Sequence, residues 1–128
     1  MAGFEYPGKQ LRVLTWADGS KTWDQVFADY GSQYRAHLAQ LQALLERLAD
    51  FGRLRSPDQW HAQGDGIFAV KSKFGFRAYG WFDRVGSDRV FVIGRVRLKK
   101  EDKADQNDID ACCALRTRFR QANVGRLK

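Results

Sequence analysis

Residues 66–100 read GIFAVKSKFGFRAYGWFDRVGSDRVFVIGRVRLKK, three runs rich in Val, Ile, Phe, Tyr and Trp parted by turn signals at 73–75 and 86–88. Such runs, with short Gly-bearing turns between them, predict consecutive antiparallel strands near 66–72, 75–83 and 89–98, a β-meander. Side chains alternate between the faces of a strand. The third run therefore sets Val90, Val92, Gly94, Val96 and Leu98 against Phe91, Ile93, Arg95 and Arg97. The second sets Phe76, Ala78, Gly80 and Phe82 against Arg77, Tyr79 and Trp81, and the first sets Phe68 and Val70 against Ile67, Ala69 and Lys71. With the apolar faces aligned, Lys71, Lys73, Arg77, Arg95 and Arg97 share the other face with Tyr79 and Trp81. A cationic, aromatic sheet face suits a nucleic acid.

Toward the N-terminus, residues 10–16, QLRVLTW, alternate weakly and predict a short first strand at a sheet edge. Thr22 and Gln25 fit a capping box for a short helix near 23–30, whose stripe would be Trp23, Val26, Phe27 and Tyr30. A clearer pattern follows. Tyr34, Leu38, Leu41, Leu44, Leu45, Leu48 and Phe51 recur at three- and four-residue steps, the signature of an amphipathic helix, and Gly52 ends it. His37 borders that stripe and reads as a helix-boundary residue. Residues 54–66 form a connector with one short helical turn at 56–59. Its His61 and Asp65 can reach the basic face as a proton-transfer group and its orienting carboxylate, or stay a solvated loop pair.

Beyond the meander, a charge-rich turn leads into a second long helix near 105–122. Asp105, Asp108 and Asp110 fall at its start and Arg116, Arg118 and Arg120 toward its end, an order that suits the helix dipole. Its packing stripe is Ile109, Cys112, Leu115 or Arg116, Phe119 and Ala122. The tail 123–128 is short and polar.

At 128 residues and 44% apolar content, the chain is long enough for one core, so a single domain is expected over 1–128. The formal charge of +7 is unevenly placed: residues 1–66 hold 7 Lys/Arg against 8 Asp/Glu, and residues 67–128 hold 15 against 7. That asymmetry favours a polyanion, or an acidic protein that covers the patch. No apolar run reaches the ~20 residues of a membrane span and no signal-like segment opens the chain, so a soluble, cytoplasmic protein with no membrane partner is expected. Cys112 and Cys113 are adjacent, which makes them poor as a bridge or as two ligands of one metal. With no metal-ligand spacing and no GxxxxGK[ST] loop, no metal or cofactor is expected, and nucleotide hydrolysis is excluded.

Three local patterns resemble a known family. Gly66-Ile67-Phe68-Ala69-Val70-Lys71, following the 54–66 connector, is similar to a Gly-Leu-Tyr-Glu-Leu-Arg strand. Phe76-Arg77-Ala78-Tyr79-Gly80-Trp81-Phe82 is similar to a Tyr-Arg-x-x-Tyr strand. Lys99-Lys100-x-x-Lys103, followed by Ile109 and Ala111, is similar to a Lys-Lys-x-x-Lys turn and final helix. Over roughly residues 45–122, in this order, the chain resembles the RelE/ParE superfamily of type II toxins, in particular its phage-derived HigB-like branch. The resemblance implies a small α/β (α+β) RelE-like domain, an antiparallel meander packed against two long helices, with a basic RNA site on the sheet. It also implies a ribosome-dependent mRNA endonuclease that inhibits translation. Its partners would be the ribosome, mRNA and a cognate helix-turn-helix antitoxin that covers or obstructs the site. By this resemblance Arg77 matches the family arginine, Lys71 the basic residue of the preceding strand, and Lys99 and Lys100 the lysine pair. Ala69 stands where many relatives carry Glu, Arg97 replaces an aromatic, and the tail lacks the His or Tyr that several relatives use as proton donor. These departures keep a second reading open: a non-catalytic nucleic-acid- or protein-binding module of the same fold, including a ParE-like gyrase inhibitor.

Cutting RNA without a metal needs a base for the 2′-hydroxyl, cations for the charge that develops on the phosphate, and an acid for the leaving oxygen. Arg77 and Arg95 are the expected phosphate clamp, because guanidinium forks match phosphate bidentately. Lys71 or Lys73 is the candidate base. Arg97, Lys99, Lys100 and Lys103 would line the RNA path, and Tyr79 or Trp81 would stack on an unpaired base, unless both rings merely cover the core.

Overall fold

The computed structural model describes residues 5–15, 28, 34–54, 59–72, 75–98 and 106–122. They form a mixed α+β arrangement of one six-stranded sheet and two long helices. The strands are β1 (Glu5–Pro7), β2 (Arg12–Thr15), β3 (Trp60–Gly64), β4 (Ile67–Lys71), β5 (Phe76–Val85) and β6 (Asp88–Leu98). The helices are α1 (Arg35–Phe51) and α2 (Gln106–Ala122). Across the sheet the order is β1-β2-β6-β5-β4-β3, antiparallel throughout except where β2 runs parallel to β6.

The expected meander is β4–β6, within a residue or two of its expected bounds. Two further strands extend it. Residues 60–64 were expected in a connector, since His, Ala, Gln and Gly favour strands little. They pair with β4 because Gly64, Asp65 and Gly66 make a tight turn, with φ of 106°, 57° and 77°. At the other side β1 covers β2, so the strand expected at an edge is an inner one. Pro7, which cannot donate to a ladder, suits the outer position that β1 takes.

A bulge in β6 resets the expected faces. Tyr79 pairs with Arg95 and Gly80 with Ile93, which leaves Gly94 as the extra residue. Before it, Val90 and Val92 face α2 while Phe91 and Ile93 face α1; after it, Arg95 and Arg97 lie on the α2 side, and Val96 and Leu98 pack on the α1 side. The arginines thus part company with Phe91 and Ile93, with which simple alternation had grouped them. Gly80, opposite the bulge, lies so close to the Val92 carbonyl and the Phe91 ring that no Cβ fits without movement. Gly80→Ala is expected to lower stability by about 1–3 kcal/mol through overpacking, read as a lower urea midpoint at unchanged slope.

Each helix covers one face. Leu38, Leu41, Leu45, Leu48 and Ala49 of α1 pack with Val13, Phe76, Ala78, Phe91 and Ile93. On the opposite face Ile109, Cys112, Leu115 and Phe119 of α2 pack with Ile67, Tyr79, Trp81, Val90 and Val92. Gly52, in the left-handed conformation at φ 78°, ends α1 and donates its N–H to Leu48 O at 2.7 Å. The stripe stops one turn short of expectation, because Phe51 is 67% exposed. Of α2's expected stripe, Ala122 is exposed and Arg116 half-buried. The short helix expected at 23–30 lies outside the described residues apart from Ala28, as do the turn at 56–58 and the tail.

Candidate nucleic-acid interface

The end of the sheet at which α2 begins collects cations from three strands. Lys71 of β4 stands opposite Arg77 of β5, and Arg77 opposite Arg97 of β6, so three positive side chains form one row across the sheet. Strand spacing makes that row ~10 Å long. The register is held next to it by Ser72, whose N–H donates to Phe76 O at 2.8 Å and whose hydroxyl accepts the Phe76 N–H at 3.0 Å. In the neighbouring row Arg95 stands opposite Tyr79. Like charges set directly opposite each other destabilise a sheet. Their retention here calls for a countercharge.

One countercharge comes from α2. Asp108, wholly buried in its first turn, accepts Arg95 Nε at 3.0 Å and Arg97 Nη1 at 2.9 Å, both on Oδ1, while its Oδ2 is buried without a hydrogen-bond partner. This orients the two guanidiniums, whose side chains stay 39% and 41% exposed. Lys71 is half-buried, and Arg77, between its neighbours, is only 5% exposed. The positive end of the α2 dipole adds to the potential here.

The structure thus brings Lys71, Arg77, Arg95 and Arg97 together. Lys73, Lys99, Lys100 and Lys103 lie outside the described residues. Tyr79 and Trp81 share the face but are 0% and 1% exposed beneath α2. Trp81 meets the Phe119 ring edge-on at 6.0 Å and donates Nε1–H to Asp83 Oδ2, which also accepts from Arg120 Nε. Both rings belong to the core, and stacking on a base would require α2 to leave the sheet. His61 is exposed on edge strand β3 and hydrogen-bonds with Gln63, while Asp65 offers its backbone carbonyl to Arg116. Of the two readings left open for His61 and Asp65, the orienting pair is not among their contacts, and both residues are exposed. His37 is half-buried beside Tyr34, ring centroids 5.9 Å apart.

Asp108 is the site residue that sequence reasoning missed. Its signal was present: positions 108, 112, 115 and 119 make one helical stripe, and a buried acid on an apolar stripe needs a cation as partner. Among the described residues no group of three or more His, Cys, Asp or Glu is placed to hold a metal ion, and no helix is long and apolar enough to cross a membrane.

Cys112, packed between α2 and the sheet, has its thiol pKa pushed from 9.0 up to about 12, first by burial and then by the negative charge of Asp108. The folded chain keeps the thiol proton that the unfolded chain sheds above pH 9. Stability from this group is therefore full below pH 9 and lost as pH rises toward 12. The unfolding free energy from urea titrations is expected to fall on the alkaline side by up to about 1.4 kcal/mol per pH unit, with Cys112→Ala falling less steeply than the native chain.

Neither a family model, nor a curated protein sequence, nor a solved structure matches this chain.

Proposed function

We propose that the row Lys71–Arg77–Arg97 holds the phosphate backbone of RNA, and that the protein is the toxin component of a type II toxin–antitoxin system, cutting mRNA on the ribosome. The observation that carries this reading is three cations in one row on adjacent strands, next to two arginines oriented by Asp108. The resemblance to the RelE/ParE superfamily, HigB-like branch, supplies the reaction class. Arg95 and Arg97 present half-exposed forks to a phosphate; Arg77 acts from beneath through its charge; Lys71 takes the proton from the attacking 2′-hydroxyl. The 2′-oxygen bonds to phosphorus as the bond to the 5′-oxygen breaks, which leaves a 2′,3′-cyclic phosphate; the cations stabilise the charge on the phosphate oxygens, and the departing 5′-oxygen takes its proton from water. Such a protein works where ribosomes are, in the cytoplasm, and is held in check by an antitoxin that covers the row.

Two observations favour a second reading, binding without cleavage. Both aromatic rings of the face are sealed under α2, and His61, the side chain best suited to move protons near neutral pH, stands on edge strand β3 rather than in the row. Incubating purified protein with ribosomes carrying a defined mRNA separates the two. New 5′ ends within the translated frame support cleavage; salt-sensitive binding with intact message supports the binding module. Absence of both binding and cleavage contradicts both readings.

A further inference from the structure

A second cationic surface lies at the opposite end of the β5–β6 hairpin and on the opposite face of the sheet. Arg84 and Arg89 stand directly opposite each other there, a second like-charged cross-strand pair. The Arg89 guanidinium lies 5.0 Å over the Phe82 ring and beside Gly52, where α1 ends. On either side of Gly52 are Phe51, the one large apolar side chain exposed among the described residues, and Arg53; Arg47 lies over the Phe51 ring at 5.9 Å. Arg47, Phe51, Arg53, Leu54 and Gln59 line an open groove of about 520 Å³. Beneath Arg89, Phe82 packs edge-on against Trp60 and Phe68, both half-buried, which ties the hairpin to edge strand β3.

None of the four arginines has a carboxylate partner among the described residues, and the described acids nearby are engaged elsewhere. Asp50 accepts from the Tyr6 hydroxyl and the Lys9 N–H. Asp83 holds Trp81 and Arg120 on the other face, Asp88 holds Arg12, and Glu46 accepts from Gln42. Unpaired guanidiniums interleaved with an exposed ring and an amide match phosphate and base together. An amphipathic peptide would need a continuous apolar trough, and among the described residues the groove has Leu54 and Phe51 as its apolar walls.

We infer that this surface is a second binding site for single-stranded RNA, in which Arg47, Arg53, Arg84 and Arg89 contact phosphates and Phe51 stacks on a base. It rests on the RNA reading above only for its biological setting, since its own residues argue for the ligand. The protein would hold two separate RNA segments, one on each face.

The test uses a fluorescein-labelled, unstructured single-stranded RNA, with anisotropy measured across a salt series, and ultraviolet cross-linking of the native protein with mass-spectrometric mapping. Phe51, Arg84 and Arg89 are exposed, Lys71 and Arg97 are half-buried, and circular dichroism checks each fold. Phe51→Ala is expected to weaken binding about tenfold with the salt slope unchanged. Arg84→Ala/Arg89→Ala is expected to reduce the slope of log affinity against log salt by about 1.4, at roughly 0.7 per lost single-strand phosphate contact. Cross-links in the peptide that contains Phe51 support the site. Native affinity and slope in both variants, with cross-links confined to peptides holding Lys71 or Arg97, overturn this inference and leave the first site standing. Loss in these variants alone, with Lys71→Ala/Arg97→Ala unchanged, supports this site and overturns the first. No RNA binding by the native protein overturns both, and binding of an acidic peptide at Phe51 in place of RNA overturns this one.

Discussion

On the proposed cleavage reading, Arg97→Ala will lower the rate of ribosome-dependent mRNA cleavage about 100-fold, the loss that follows removal of one group aimed at developing charge. The fold should tolerate the change, because Asp108 keeps Arg95 as a partner at 3.0 Å and Arg97 is partly exposed already. Affinity for RNA should fall less than the rate does, since one phosphate contact among several is lost. Arg97→Lys keeps the charge but not the fork, and should recover binding more fully than cleavage. Single-turnover rates with saturating ribosomes separate the two effects. A rate within threefold of the native value, from folded protein, would remove Arg97 from the site.

Trp81→Ala will destabilise the protein by about 3–5 kcal/mol, because it empties a fully buried indole site between β5 and α2. The Trp81–Asp83 hydrogen bond and the ring contact with Phe119 go with it. A base-stacking tryptophan would give the opposite pattern, near-native stability with weakened RNA binding. Denaturant unfolding of the variant distinguishes the two roles directly. Unfolded Trp81→Ala protein would answer the question as well, and Trp81→Phe then gives a measurable midpoint.

These two outcomes depend on different parts of the fold, and they were not equally legible. The strands β4–β6 and both helices could be read from periodicity, because alternation and three- to four-residue spacing are properties of the chain itself. The cluster of Lys71, Arg77, Arg95 and Arg97 on one face was legible too, though not by the right route. Simple alternation placed Arg95 and Arg97 with Phe91 and Ile93, and only the bulge at Gly94 separates them. A single glycine in a strand is the sole mark that such a bulge leaves.

What alternation could not state is which face lies open. It showed that Tyr79 and Trp81 share a side with the cations, but the covering layer is set by α2, whose apolar stripe of Ile109, Cys112, Leu115 and Phe119 needs a surface of its own. Strand β3 was illegible for a related reason. Trp60–Gly64 has little strand propensity, and its pairing with β4 comes from the turn at 64–66. Phe51 shows the converse case, an apolar residue in register with a buried stripe that ends up exposed as the helix stops.

The most direct test of the central claim, that the cationic end of the sheet is an RNA-cutting site, is inducible expression in a bacterium of the native chain and of Arg97→Ala, with growth scored alongside primer extension across a translated mRNA. Growth arrest with new, codon-phased 5′ ends is expected for the native chain and neither for the variant, at equal levels of soluble protein. Normal growth and intact message with soluble, folded native protein would contradict it.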